Sequence, residues 1–337
     1  MGSSATNAVQ NRLGASARKA DQSLVGILAG MAKSLSKVVV GYIALMIVLG
    51  LAHYQRQVDD QAPPRRIEKN FYAEIYAAAP SKTPLAAVDG EDSRYVKVAK
   101  EAISRENIVP RVTAFARQYG LQDASKRVLE VGAGTGYLQD VVPNYVGLDI
   151  SPSARRYFHK PFVEASATAM PFRDDEFDAL WSIWVLEHVP KPEHALNEIR
   201  RVVKDGGVLY LKPAWFCAWW YANGYAVRPY EDFDARGKLK KASLTLLAWP
   251  YYRYFSMIPV RIARKVQARL AGGPSRLHYN LLDANYKDYW VADSDAVAGL
   301  DYYEMLLWFQ SRGDECLNCA DNPIFDADDL VIRVRKR

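Results

Sequence analysis

The sequence contains few cysteines and few histidines. Its 337 residues include three cysteines, Cys217, Cys316 and Cys319, and five histidines. Three cysteines are too few for the disulfide framework that stabilises many small secreted domains. Cys316 and Cys319 have CxxC spacing, but no second CxxC and no nearby histidine pair completes a zinc site. We therefore expect two reduced cysteines beside a strand, and the sequence predicts no metal site.

Asp, Glu, Lys and Arg are absent from residues 38–55, although they make up 24% of the chain. The stretch from Val38 to Ala52 is almost wholly apolar, and Lys37 and Arg56 flank the segment. A helix crosses a bilayer with roughly 17–25 predominantly apolar residues, so this segment lies at the short end of that range. It predicts a transmembrane or membrane-associated helix, and a buried helix of a soluble domain is the alternative.

Strand and helix patterns alternate through the middle of the chain. Such alternation is typical of an α/β fold, in which a parallel sheet carries helices on both faces. Two helices are expected before the first strand, one from Ser93 onward and one opened by Pro110. The predicted later elements are strands at 127–131, 145–149, 179–183 and 207–211, helices at 193–203 and 294–312, and last strands near 316 and at 330–334.

A glycine-rich turn, Gly132-Ala133-Gly134-Thr135-Gly136, follows the first of these strands. Glycines at this point let the backbone turn tightly and leave N–H groups free at the start of a helix. The Gly-x-Gly-x-Gly spacing differs from the Gly-x-Gly-x-x-Gly of dinucleotide-binding folds, so NAD is the weaker alternative. Glu130 before the turn is placed to accept from an ammonium group, and Asp149 ends the next strand, where ribose hydroxyls would bind.

Three further motifs stand in order after the turn: Met170–Asp178, Trp181–Val189 and Glu198–Gly207. With the turn and its acids, they resemble the class I S-adenosylmethionine (SAM)-dependent methyltransferases, in particular the family that includes the ubiquinone and menaquinone C-methyltransferases. The resemblance covers about residues 93–213. It implies a Rossmann-like doubly wound sheet, mostly parallel with an antiparallel last strand, and SAM as cofactor.

The resemblance also assigns roles to single residues. His188 is either a general base or a structural histidine, and Trp184 is expected to shape the pocket beside the methyl group. Tyr95 is expected to close over SAM from the helix before the sheet. Ser166 stands where the family usually has an aspartate, which weakens adenine recognition. The predicted cofactor-binding residues are Glu130, Gly132, Ala133, Gly134, Gly136, Asp149, Ile150, Ser166, Ala167 and Trp184.

Residues 214–292 interrupt the alternation with an aromatic and basic insertion. It holds 17 of the chain's 40 aromatic residues, and 12 lysines and arginines against 5 acids. The run 215–221 is an aromatic cluster, and 259–270 reads as a basic amphipathic helix that suits an anionic membrane surface. A lid whose aromatic residues form their own core is the alternative. Because the insertion lacks an RNA-binding motif, nucleic acid is not expected as a partner.

These observations divide the chain into five parts. They are a flexible N-terminus with the membrane helix (1–56), a linker with a short helix around 71–79 (57–92), the SAM-binding core (93–213), an α-helical insertion forming a membrane-facing lid (214–292), and a C-terminal helix and strand pair that complete the core (293–337). We expect a SAM-dependent methyltransferase that O- or C-methylates a membrane-associated or lipid-linked small acceptor. The alternatives are a methyltransferase-like scaffold subunit of a membrane complex and an RNA methyltransferase. Since SAM is made in the cytosol, the catalytic domain is expected on the cytoplasmic side.

Overall fold

The computed structural model describes residues 30–67, 69–77, 88–89, 92–222, 224–247, 250–286, 289–319, 323–325 and 329–336. The segment 1–22, which we expect to be flexible, lies outside these residues. The chain divides into two compact units. One contains the first helix and residues 247–256, and the other contains residues 55–246 and 257–337.

The strands of the described residues form three sheets. They are β1 (Gln57–Val58), β2 (Val88–Asp89), β3 (Asp92–Ser93), β4 (Val128–Val131), β5 (Tyr145–Asp149), β6 (Phe162–Glu164), β7 (Phe177–Ile183), β8 (Val203–Lys212), β9 (Tyr279–Leu281), β10 (Ala298–Gly299), β11 (Glu315–Cys316) and β12 (Leu330–Arg333). The seven-stranded sheet has the order β11-β12-β8-β7-β4-β5-β6. Strands β4 to β8 pair in parallel and β12 pairs antiparallel to β8, as predicted.

The helices lie mainly before and after the parallel strands. They are α1 (Gly30–Ala52), α2 (Lys69–Ile75), α3 (Arg94–Arg105), α4 (Ile108–Gln118), α5 (Pro192–Val202), α6 (Trp219–Ala222), α7 (Ala235–Leu247), α8 (Pro250–Ala271) and α9 (Tyr302–Gln310). Ser93 caps α3, since its side chain accepts a hydrogen bond from the backbone N–H of Val96. This oxygen satisfies one of the free N–H groups at the start of the helix.

The alternation of side chains along the strands separates two apolar layers. Leu129 and Leu209 belong to the layer that contains α5 and α9, whereas Val128 and Val208 belong to the layer that contains α4. Strand β4 is buried along its whole length, as expected of a central parallel strand covered on both faces. The predicted α/β fold with a doubly covered sheet is confirmed.

Two predicted helices differ from the structure. The glycine turn does not open a regular helix, because residues 134–140 form successive turns before β5. Only eight residues separate Gly136 from Tyr145, and they include Pro143, which leaves little room for a helix. The predicted helix 294–312 is shortened to α9, which begins at the cap residue Asp301 rather than at Asp293 or Ser294.

The segment expected to be a linker contributes elements to the second unit. Strand β1 pairs antiparallel with β9, and β9 pairs with β10, which forms a small three-stranded sheet. Phe71, Tyr72 and Ile75 of α2 are buried. Their apolar surface gives α2 a packing face, so residues 57–58 and 69–75 are not free spacer.

Helix α1 has the length and composition of a membrane span. Its 23 residues rise about 34 Å, which exceeds the roughly 30 Å hydrocarbon core of a bilayer. Only 11% of its most apolar window is buried inside the protein. The exposed apolar side chains include Leu35, Val38, Val40, Val48 and Leu51. Within the described residues the helix is already formed at Gly30, eight residues before the predicted segment 38–55, and it ends at Ala52.

Helix α8 buries two of its arginines and exposes several aliphatic side chains, contrary to the pattern that its sequence suggests. Arg261 is 1% exposed, whereas Leu270 on the same helix is 83% exposed. Val260, Ile262 and Val266 are exposed as well. The prediction that arginines of this helix face outward to anionic headgroups is therefore wrong for its buried face.

Two ion pairs account for this inversion. Arg261 lies 3.0 Å from the carboxylate of Asp301, the cap of α9, and Arg264 lies 2.6 Å from that of Glu304. Both arginines are buried, and a buried charge is tolerated when an opposite charge and hydrogen bonds accompany it. The two guanidinium groups thus hold α8 against α9 and leave the aliphatic side chains outside.

The aromatic residues of the insertion pack partly on one another and partly on rings outside the insertion. The rings of Trp219 and Tyr225 are 5.0 Å apart, and those of Tyr225 and Phe233 are 4.5 Å apart. Trp215 packs on Tyr302 at the start of α9, with a ring separation of 5.6 Å. These contacts support the alternative in which the insertion forms its own aromatic core.

The cysteine prediction was wrong in one respect. Cys316 and Cys319 are joined in a disulfide, whereas we expected two reduced thiols. Cys217 is free and buried. The bridge closes a loop at the end of β11 and does not form part of a wider disulfide framework.

Candidate functional site

The glycine turn is fixed to the end of β5 by one carboxylate. Oδ2 of Asp149 accepts a hydrogen bond from the N–H of Gly134 at 2.9 Å, and Oδ1 accepts from the N–H of Ser151 at 2.9 Å. Burial raises the pKa of Asp149, while these N–H groups oppose the rise by stabilising its charged form. The predicted pair, glycine turn and Asp149, is thus brought together at the carboxyl edge of the sheet.

Neighbouring side chains approach the backbone of the glycine turn more closely than a Cβ atom would permit. Gly132 has φ of +74°, and a Cβ at this position would overlap the side chain of Val185. Gly134 has φ of +50°, and a Cβ there would lie 3.2 Å from the hydroxyl of Tyr76. Both positions require glycine because the left-handed conformation and the crowding act together. The backbone of the turn consequently packs closely against Val185 and Tyr76, and a side chain at either glycine would disturb this packing.

Glu130 lies beneath the turn and faces the neighbouring strand. Its carboxylate accepts a hydrogen bond from the Tyr145 hydroxyl and is buried. Burial raises its pKa to about 8, so the neutral acid predominates at pH 7. Its predicted contact with the SAM ammonium stays a prediction, and in the structure Glu130 joins β4 to β5.

Helix α2 and its neighbours cover the turn with aromatic rings. Tyr76, just after α2, packs on Tyr95 with a ring separation of 6.2 Å, and Tyr95 packs on Trp290 at 5.6 Å. The backbone carbonyl of Tyr72 accepts a hydrogen bond from Ser151, next to Asp149. The structure therefore places Tyr95 close to the glycine turn through Tyr76, in keeping with its expected covering role.

Other predicted cofactor residues lie around Asp149 or beside the turn. The N–H groups of Gly132 and Ala133 both donate to the Leu148 carbonyl, at 2.7 and 2.9 Å. Ile150 is half-buried against the aromatic rings around α2. The remaining glycine, Gly136, donates its N–H to the Ala133 carbonyl.

The predicted adenine and methyl-side residues differ in their surroundings. The hydroxyl of Ser166 lies 2.8 Å from that of Thr168, and Ala167 is buried in the layer with α5 and α9. The adjacent Ala165 donates its N–H to the Asp149 carbonyl, which keeps this segment at the end of β5. Trp184 has φ of +54° and packs in the layer with α4, rather than among the rings around α2.

His188 lies in a group of acids after β7. Its Nδ1 is 3.2 Å from Asp295, and its Nε2 is 3.8 Å from Glu187. Burial by itself lowers the pKa of His188, but the negative charges of Asp295, Glu187 and Asp293 outweigh this effect and raise it to about 9. The imidazole is therefore mostly protonated at pH 7.

Asp295 lies at the centre of this group. Its place beside His188 was not predicted from the sequence. It accepts hydrogen bonds from the hydroxyl of Tyr72 at 3.1 Å and from Nε1 of Trp290 at 3.3 Å. Neither Asp293 nor Asp295 caps α9, because that helix begins at the cap residue Asp301. A short helix around 71–79 was predicted and corresponds to α2, but the contact of its Tyr72 with Asp295 was not predicted.

Comparison with known proteins agrees with this geometry. Residues 129–211 match the family model described as methyltransferase domain. The matched segment extends from β4 to β8. This segment is a methyltransferase domain. The match confirms the predicted domain class, whose methyl donor is SAM.

Two similar curated proteins are named as uncharacterised methyltransferases. One from Mycobacterium leprae is 36% identical over 107 residues, which cover 28% of this chain and 39% of the relative. Another from Mycolicibacterium vanbaalenii is 36% identical over 103 residues, covering 27% and 40%. The chain thus spans about two fifths of the length of these relatives.

Two solved structures illustrate the similarity. A SAM-dependent methyltransferase from Aquifex aeolicus is 21% identical, with coverage of 29% of this chain and 61% of its own and a TM-score of 0.26. A SAM-bound amino pentose methyltransferase from Micromonospora echinaspora is 20% identical, with coverage of 35% and 57% and a TM-score of 0.30.

Gly132→Ala tests the crowding at the turn. We expect a loss of about 2–5 kcal/mol in the free energy of unfolding, because the left-handed conformation and the overlap with Val185 both cost energy. Gly206→Ala is the matched control, since Gly206 has φ of +76° and a Cβ there would meet no atom of the described residues within 4 Å. It should lose only about 1–2 kcal/mol. Equal losses in urea unfolding of the two variants would contradict the crowding.

Proposed function

We propose that this protein transfers the methyl group of SAM to a small acceptor that is associated with a membrane. The observation that carries the proposal is the Asp149 carboxylate, which joins the glycine turn to the end of β5. Ligands of open parallel sheets bind at this edge, outside the carboxyl ends of the strands. The methyltransferase domain of residues 129–211 contains this feature.

The residues of the edge fit the cofactor. Each oxygen of Asp149 accepts one backbone hydrogen bond, and a carboxylate oxygen has a second lone pair that can accept from a ribose hydroxyl. The φ values of Gly132 and Gly134 keep the turn free of side chains. Bound SAM supplies a methyl group already activated by its sulfonium, so the protein's part is alignment and desolvation.

The aromatic cover supplies the desolvation. Tyr72, Tyr76 and Trp290 are buried beside the turn, which limits the water that reaches it. Burial raises the pKa of Tyr72 and Tyr76 well above the ordinary value, so both hydroxyls stay protonated and act as donors at neutral pH. Water exclusion strengthens the electrostatic contacts that align the reactants.

We assign His188 a positioning role in the resting protein rather than that of a general base. A base must be unprotonated to accept a proton, and the surrounding acids raise the pKa of His188 to about 9. Its contact with Asp295 and the contact of Asp295 with Tyr72 connect the end of β7 to α2. In this role His188 orients the aromatic cover over the turn.

Two apolar surfaces support a membrane-associated acceptor. Helix α1 is 23 residues long with exposed apolar side chains, and α8 presents exposed aliphatic residues such as Val266 and Leu270. Apolar side chains on the outer face of a helix suit the boundary between lipid headgroups and acyl chains. The burial of Arg261 and Arg264 in ion pairs withdraws two of the twelve lysines and arginines of the insertion from an anionic substrate such as RNA.

The proposed SAM-binding site is tested with Asp149→Asn. We expect SAM binding by calorimetry to weaken at least tenfold, because the amide loses the charge that strengthens its hydrogen bonds. Asp174→Asn is the control, since the side chain of Asp174 is exposed and pairs with Arg201. Mass spectrometry of membrane extracts incubated with SAM should show a methyl increment on a lipid-soluble compound with the wild type and the control. Undiminished SAM binding by Asp149→Asn would contradict the proposed site.

The membrane contact is tested by spin labels on the full chain in anionic liposomes. A label at Leu270→Cys should be more accessible to oxygen than to a water-soluble nickel reagent, because oxygen concentrates in the bilayer. A label at the exposed position Arg173→Cys should show the reverse preference. If both labels behave as water-exposed, α8 does not lie in the interface.

A further inference from the structure

Three ligand-bearing side chains converge beside the aromatic cover. Glu187, His188 and Asp293 each offer one atom, and these atoms lie within 4.8 Å of one another. Glu187 and His188 belong to the short turn after β7, and the carbonyl of Glu187 accepts a hydrogen bond from the N–H of Val297 near β10. The group therefore joins the loop after β7 to the segment before α9.

Glu187 is the side chain that this arrangement leaves unexplained. It is 0% exposed, and neither carboxylate oxygen makes a hydrogen bond of ordinary geometry within the described part of the chain. Burial raises its pKa, and the nearby backbone N–H groups of Glu187 and Ala214 offset this only in part. A buried carboxylate without partners costs several kcal/mol, so it normally has a cation or donors beside it. We propose that Glu187, His188 and Asp293 bind a divalent metal ion of the first transition row, such as Zn²⁺ or Mn²⁺.

The geometry of His188 fits a metal ligand. Its Nε2 lies toward Glu187 at 3.8 Å, whereas its Nδ1 lies 3.2 Å from Asp295. A histidine that binds a metal through one nitrogen usually presents the other to a carboxylate, which fixes the ring. Asp295 is itself held by Tyr72 and Trp290. The ion would take the place of the proton on Nε2.

The charge of the group also favours a cation. The group contains three acids, Glu187, Asp293 and Asp295. Among the described residues, His188 is the positive group whose charge lowers the pKa of both Glu187 and Asp293. Two ligands of one tetrahedral ion at bond lengths of about 2.1 Å lie about 3.4 Å apart. Because the three atoms lie within 4.8 Å of one another, binding requires the side chains to move inward by about 1 Å.

The ligand set suggests a site with open positions. Three protein ligands of mixed oxygen and nitrogen type are usual where a metal also binds water or substrate. An oxygen of the acceptor would occupy such a position, a step that rests on the proposed methyl transfer. Binding of the metal alone does not depend on that function.

Mn²⁺ titration of the chelator-treated full chain tests the site. Free Mn²⁺ gives a six-line electron paramagnetic resonance signal that is lost on binding, and we expect one ion per wild-type chain. Glu187→Gln should weaken binding at least tenfold, and Asp295→Asn should weaken it roughly tenfold by releasing the His188 ring. Zn²⁺ should displace the bound Mn²⁺.

Asp140→Asn is the matched control, because Asp140 forms an exposed pair with His159 at 2.9 Å. It should leave Mn²⁺ binding unchanged. Asp293→Asn, on a partly exposed residue, provides a second ligand variant if Glu187→Gln fails to fold by circular dichroism. Wild-type binding no tighter than that of the ligand variants would overturn the proposal. SAM titration without metal separates this outcome from a failure of the proposed function.

Discussion

The hydrogen bonds of Asp149 are the constraint on which the candidate site depends. One carboxylate receives the N–H of Gly134 from the glycine turn and the N–H of Ser151 from the loop after β5. The hydroxyl of Ser151 in turn donates to the carbonyl of Tyr72, beside the aromatic cover. Because these bonds lie close together, they fix the positions of the glycine turn, the end of β5 and α2 relative to one another.

A second anchor lies at the end of β7. Asp295 receives the Tyr72 hydroxyl and the Trp290 indole and lies against His188, so the same helix α2 is held from two sides. Buried polar groups of this kind must be satisfied, and a network that satisfies them selects one packing arrangement. The carboxylate of Glu187 and Nδ1 of His188 are buried without a hydrogen-bond partner in the described residues, and for this reason they point to a ligand.

The sequence predicted the parts of this structure that rest on local pattern. Strand β5 was predicted at its observed bounds, and the pairing of the glycine turn with Asp149 followed from spacing. Long-range partners were not predictable in the same way. The arginines of α8 were predicted to face the solvent. Helical periodicity cannot reveal that they form ion pairs with Asp301 and Glu304 on α9. The role of α2 and the position of Asp295 were missed for the same reason, because both depend on contacts more than 200 residues apart.

Hydrogen–deuterium exchange of the full chain with and without SAM tests the central claim most directly. We predict slower exchange on binding in peptides that cover residues 132–136 and 149–151, where the amides of Gly134 and Ser151 are held by Asp149. We also expect slower exchange across α2, which covers the turn. SAM binding that leaves all three segments unchanged, with protection elsewhere in the chain, would contradict the proposed site.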